Sequence, residues 1–104
     1  QDLHVQLLER LEEALRLAPG MPQSHNDLGE ARRRGGLFTE AVEAFERALR
    51  LDPRYARGHY NLGLTYAQLG NHKAAVAHFR QYLELTPGAE DHETVKAWIA
   101  ELTP

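Results

Sequence analysis

Six histidines are the residues in this chain best suited to chemistry. His25 and His59 stand 34 positions apart and His72 and His78 six apart, while His4 and His92 lie near the ends. A metal needs ligands converging on one point, and no H-E-x-x-H pair puts two of these rings on one helix face. No G-x-S-x-G elbow and no glycine-rich phosphate loop is present. The chain has no Cys, which removes thiolate zinc sites, cysteine nucleophiles and disulfides and leaves the redox compartment open. Its 15 Asp and Glu fall where solvated helix faces put them. The residues therefore point to no catalytic group, no metal and no cofactor. His25 and His59 are expected to fill one repeated packing position with an amphipathic ring.

What positions these side chains is set by a chain of 104 residues, enough for one small domain. Hydrophobic residues at 42% and charged residues at 26% describe a chain that can fill a core. Twelve Lys and Arg against 15 acids give a net charge of -3, which argues against a nucleic-acid partner. No apolar run approaches the roughly 20 residues that span a bilayer, so membrane insertion is not expected. Arg outnumbers Lys 10 to 2, compatible with a GC-rich bacterial source. Residue 1 is Gln and the only Met is Met21, so the chain is expected to be a processed form or an excerpt.

One offset organises the sequence. Pro19, Pro53 and Pro87 are 34 residues apart. The same step joins Leu28 to Leu62, Gly29 to Gly63, Gly36 to Gly70 and Ala41 to Ala75. It also joins Leu11, Phe45 and Phe79, and Leu15, Leu49 and Leu83. Between the prolines, apolar residues recur at helical spacing, as in Phe38, Ala41, Val42, Phe45, Ala48 and Leu49. Six helices are expected: 3–18, 22–35, 38–51, 56–69, 72–85 and 90–102. The least apolar is 22–35, with little beyond Leu28 and Ala31 to bury. Gly63 lets a neighbouring helix approach closely, as do Ala41 and Ala75. Glycine in a helix costs about 1 kcal/mol against Ala, so that contact must return more. Gly35-Gly36 and Gly70-Asn71 end one helix and turn the chain into the next. Asn71 is placed to cap the helix it precedes, and Thr39 to cap a shortened 38–51. Glu90, Asp91 and Glu93 suit the positive end of the last helix dipole.

These matches resemble the tetratricopeptide repeat, whose 34-residue pattern has Leu-Gly, Tyr, Ala, Phe, a small residue and Pro in order. Ala56 to Ala89 reads Leu62-Gly63, Tyr66, Ala75, Phe79 and Pro87. Pro22 to Tyr55 reads Leu28-Gly29, Ala41, Phe45, Ala48 and Pro53. The chain departs from the pattern at His25 and His59, where a large aromatic is usual, at Arg32 in place of Tyr, and at Tyr82 in place of Ala. The resemblance implies an all-α, right-handed superhelical array of antiparallel helix pairs, an α-solenoid. It would form a single domain, 1–104: a half-unit helix in 1–21, repeats at 22–55 and 56–89, and a capping helix in 90–104.

The same resemblance implies a non-catalytic protein-interaction module, a scaffold or adaptor whose concave face receives a peptide or partner helix. Family ligand positions fall here on Gln23, Asn26, Glu30, Arg33 and Arg34, then Arg57, Tyr60, Leu64, Ala67 and Gln68, with Thr94 and Trp98 on the cap. Arg33, Arg34 and Arg57 supply forked donors for carboxylates; Tyr60, Leu64 and Trp98 supply apolar contact. Trp98 also belongs to the Val95–Leu102 stripe, which favours a core role. One subclass clamps chaperone C-termini with Lys, Asn, Asn, Lys and Arg. Asn61 matches one of these, but Asn26 and Glu30 replace the first Lys and Asn, and Glu30 would repel a carboxylate. Clamp activity is not expected.

Two other readings are carried forward. Helix 3–18 has apolar residues at 3, 5, 7, 8, 11, 14, 15 and 17, a stripe wider than one neighbour covers. Without an upstream helix, Leu8 and Leu15 would be left partly exposed and would support pairing of two copies, a homodimer through the N-terminal helix; an upstream helix would cover them equally well. A third reading is a regulatory domain of a larger protein.

Overall fold

The structure is a computed structural model that describes residues 2–104. The expected half-unit 1–21 thus includes one residue, Gln1, outside the described ones. Among the described residues there are six helices and no strand: α1 Leu3–Leu17, α2 Pro22–Arg34, α3 Phe38–Leu51, α4 Ala56–Gln68, α5 His72–Leu85 and α6 His92–Leu102. Each helix packs on the next, and α2 also touches α4. The result is an elongated stack of 42 × 25 × 21 Å.

The turns explain the register. After α2 the chain closes a Schellman motif: Leu37 N–H donates to Arg32 O at 2.8 Å and Gly36 N–H to Arg33 O at 3.0 Å. After α4, Asn71 and Gly70 repeat both bonds onto Tyr66 O and Ala67 O, at 2.9 and 3.1 Å. The motif needs a left-handed residue, and Gly36 and Gly70 both have φ +82°. The Asn71 side chain then caps α5 by accepting from Ala74 N–H. The expected Thr39 cap is not realised, because α3 already starts at Phe38 with Leu37 before it and no side-chain cap. The last helix starts at His92 rather than at 90, because His92 N–H closes a turn onto Ala89 O at 3.3 Å and Val95 N–H is bonded to Asp91 O at 3.0 Å; the Asp91 carboxylate accepts from Tyr82 Oη, 2.8 Å from each oxygen.

The core is built from the repeated positions. Phe45, Phe79, Leu62 and Val95 are fully buried, and each such side chain contributes about 1.5–3 kcal/mol. One cluster joins Ala41, Phe45 and Leu62; the other joins Ala75, Phe79 and Val95, with Tyr60, Leu64 and Trp98 packed on it. A Cβ at Gly63 would lie 2.5 Å from ring carbons of Phe79, and one at Gly29 would run into Phe45 in the same way. The poorly apolar α2 is anchored by buried polar residues as well as by Leu28 and Ala31. His25 Nε2 lies 2.8 Å from Pro19 O, and its repeat partner His59 has Nε2 3.0 Å from Pro53 O. Both rings are buried, so each fills the same packing position in its hairpin.

Candidate functional site

Helices α2, α4 and α6 present the residues that the sequence singles out. Along α2, residues 26, 30 and 33 share one face, and along α4 residues 57, 61 and 64 do, because side chains three and four apart lie together. Between the two helices runs a polar seam. Asn61 Nδ2 donates to Asn26 Oδ1 at 2.9 Å and to Glu30 Oε2 at 3.0 Å. Asn26 Nδ2 and Arg57 Nε donate to the same Glu30 oxygen at 3.2 and 3.1 Å. Burial works to raise the Glu30 pKa, but the Asn61 hydrogen bond and the Arg57 charge outweigh it and hold this carboxyl below its ordinary value. Neighbouring Asp27 is pushed up, by burial and then by the Glu30 charge.

Beside this seam lies a pocket of about 350 Å³ lined by Arg33, Leu64, Ala67, Gln68, Phe79, Trp98, Glu101 and Leu102. Its aromatic lining is Phe79 and Trp98, and a cluster of rings runs on from it to Tyr60 and Tyr82. Trp98 lies 5.5 Å from Phe79 and 6.1 Å from Tyr60, and Tyr60 lies 5.1 Å from Tyr82, ring centre to ring centre. Arg33 Nε is buried here with no hydrogen-bond acceptor. A second hollow, between the start of α4 and α6, is lined by Ala56, Arg57, Tyr60, Tyr82 and Asp91.

The structure divides the expected ligand-contact residues. Arg33, Leu64 and Trp98 line one pocket; Arg57 and Tyr60 line the adjacent hollow; Asn26, Glu30 and Asn61 form the seam. Arg34 does not join them: with His4, Leu7, Leu11, Asp27, Glu30 and Ala31, it lines a hollow on the α1 side of α2. Trp98 is half-buried, both packed on the Phe79 cluster and exposed to the pocket. Sequence reasoning did not find Glu101, although its place three residues after Trp98 puts it on the same helix face. It also missed the pair His59–His78, whose Nδ1 atoms are 3.0 Å apart, since nothing in the repeat marks that spacing. Among the described residues, no three His, Asp or Glu side chains gather as a metal site, and no helix is long and apolar enough to cross a membrane.

The tetratricopeptide repeat model matches residues 8–56 and 26–90, most of the chain. The chain belongs to the tetratricopeptide repeat family. This repeat domain is similar in fold to the type III secretion translocator chaperone SycD of Yersinia enterocolitica, with a TM-score of 0.88 and 14% identity over 95% of this chain and 71% of that one. The structure of SycD with a peptide of the translocator YopD matches with a TM-score of 0.87 and 14% identity, covering 95% of this chain and 79% of that one. The first repeat domain of Spaghetti (RPAP3), bound to an HSP90 peptide, matches with a TM-score of 0.87 and 16% identity over 95% of this chain and 76% of that one. At these identities the likeness establishes the fold. No curated protein matches the chain.

Proposed function

We infer that α2, α4 and α6 form the concave face of the repeat array and that this face receives a peptide or partner helix. The repeat units run 22–55 and 56–89, with a half-unit before them and the α6 cap after them. The chain then works as a non-catalytic scaffold or adaptor. The observation that carries this reading is the 350 Å³ pocket between α4 and α6. It stays open beside a tightly filled core, and it is lined by apolar side chains with a few polar groups, Arg33 among them, as ligand pockets are. Peptide-bound relatives of the same fold support it: SycD with a YopD peptide and Spaghetti with an HSP90 peptide. The ligand site comprises Arg33, Leu64 and Trp98, extended by Arg57 and Tyr60, with Asn26, Glu30 and Asn61 fixing the floor between α2 and α4.

The test is capture of a partner by the folded domain and by an Arg33→Glu, Leu64→Arg variant of unchanged helicity. Loss of capture by the variant supports the groove, and undiminished capture contradicts it.

A second reading has its own observation. Helix α1 buries none of its residues fully, and Leu3 and Leu17 are 79% and 76% exposed. A second copy of the chain pairing through this face would cover them. The most exposed members of the stripe are Leu3 and Leu17, while Leu8 and Leu15 are half-buried. Sedimentation should then show a dimer that Leu3→Glu with Leu17→Glu dissociates; a monomer at high concentration rules the pairing out.

A further inference from the structure

Resting on the groove reading, the geometry points to the ligand's chemistry: one large aliphatic side chain seated between α4 and α6, with one adjacent carboxylate held on Arg33. The distribution of donors carries this. Asn26, Asn61 and Arg57 all donate to a single oxygen, Glu30 Oε2. A ligand carboxylate arriving there would have to displace a charge of its own sign, so the seam is closed to anions.

Arg33 is in the opposite state. It lies three residues beyond Glu30, on the same face of α2, and it lines the pocket. Its Nε is buried without an acceptor. The Arg33 side chain makes no hydrogen bond or ion pair among the described residues, so its guanidinium has donors left for an acceptor that enters the pocket. A carboxylate is the acceptor that matches both the charge and the fork of a guanidinium. The neighbouring Arg32 has no such vacancy, because it already donates to Glu40 O at 3.0 Å.

The pocket wall beside Arg33 is apolar, with Leu64, Ala67, Trp98 and Leu102 around a volume of about 350 Å³. Branched aliphatic chains fill such a space and remove its surface from water. Glu101 is the pocket's other charged lining residue. It disfavours a second carboxylate, so the ligand carries one acid beside its anchor rather than an acidic run.

Trp98 is the only Trp, so its indole N–H gives one resonance, from the pocket itself. The probes are acetylated, amidated tetrapeptides with central Leu-Glu, Leu-Gln or Ala-Glu, in both orders, titrated into the 15N-labelled chain. The Leu-Glu peptide is expected to move the indole resonance with a Kd at least about tenfold lower than either of the others. In folded Arg33→Gln the preference for Glu over Gln disappears. Equal affinities for Leu-Glu and Leu-Gln overturn the carboxylate, and equal affinities for Leu-Glu and Ala-Glu overturn the aliphatic anchor. In both of those cases saturable shifts at Trp98 leave the groove reading standing. Silence of the indole resonance toward all the peptides overturns the anchor chemistry and counts against the groove.

Discussion

The ring of Phe79 lies so close to Gly63 that no side chain fits between them. A Cβ at Gly63 would stand 2.5 Å from two ring carbons. Alanine would improve helix propensity by about 1 kcal/mol, but overpacking a filled core costs about 1–3 kcal/mol. Gly63→Ala is expected to lower the urea midpoint, with a net loss of about 1–2 kcal/mol. Adding Phe79→Leu opens the space, so the double variant should lose less than the sum of the two single changes.

Glu30 is the acceptor on which three donors depend. Glu30→Ala leaves Asn26, Asn61 and Arg57 short of a partner and should cost about 1–3 kcal/mol, measured by denaturation at neutral pH. Glu30→Gln keeps an acceptor oxygen and should cost less. The sign of the pH effect follows from the depressed carboxyl. The folded state holds Glu30 ionised more strongly than the unfolded chain does, so its contribution is present at neutral pH and fades as pH falls from about 4.5 downward. In Glu30→Gln that part of the acid loss should be absent.

The pair His59–His78 acts in a different pH range. Pro53 O can only accept, so His59 donates from Nε2 and offers its Nδ1 lone pair to His78 Nδ1–H at 3.0 Å. His78 also stacks on Tyr66, with ring centres 5.8 Å apart. Burial, and then the His59 charge, push the His78 pKa down from 6.5. The unfolded chain therefore binds a proton that the folded one resists. Stability is intact above pH 6.5 and declines as pH drops below it. His78→Phe keeps an aromatic ring beside Tyr66 and should flatten the stability profile below about pH 6.5.

The cap depends on a bond between α5 and the start of α6. Tyr82 Oη donates to Asp91, and Tyr82→Phe removes that donor without removing the ring. A loss of about 1 kcal/mol is expected, concentrated in α6, and faster amide exchange there than in α4 would report it.

The sequence reveals the framework because the framework repeats. Gly29 and Gly63, Phe45 and Phe79, and Pro19, Pro53 and Pro87 each fill one structural position more than once, and all six helix bounds fall within two residues of those expected from them. The site is less legible because its contacts do not repeat. Arg33 and Arg34 are adjacent in sequence, yet successive residues on a helix point about 100° apart, so one faces the α4–α6 pocket and the other the α1 side. His78 meets His59 across a hairpin, and the matching place in the preceding hairpin is Ala44. Glu30 reads as a groove anion that would repel ligands; in the folded chain Asn26, Asn61 and Arg57 already hold it.

Site-specific photo-crosslinking tests the groove most directly. A benzophenone side chain at position 64 lies in the pocket, and one at position 77 lies on the exposed side of α5. The groove account predicts that a captured partner forms an adduct from position 64 and none from position 77. An adduct from 77 with none from 64 would contradict it.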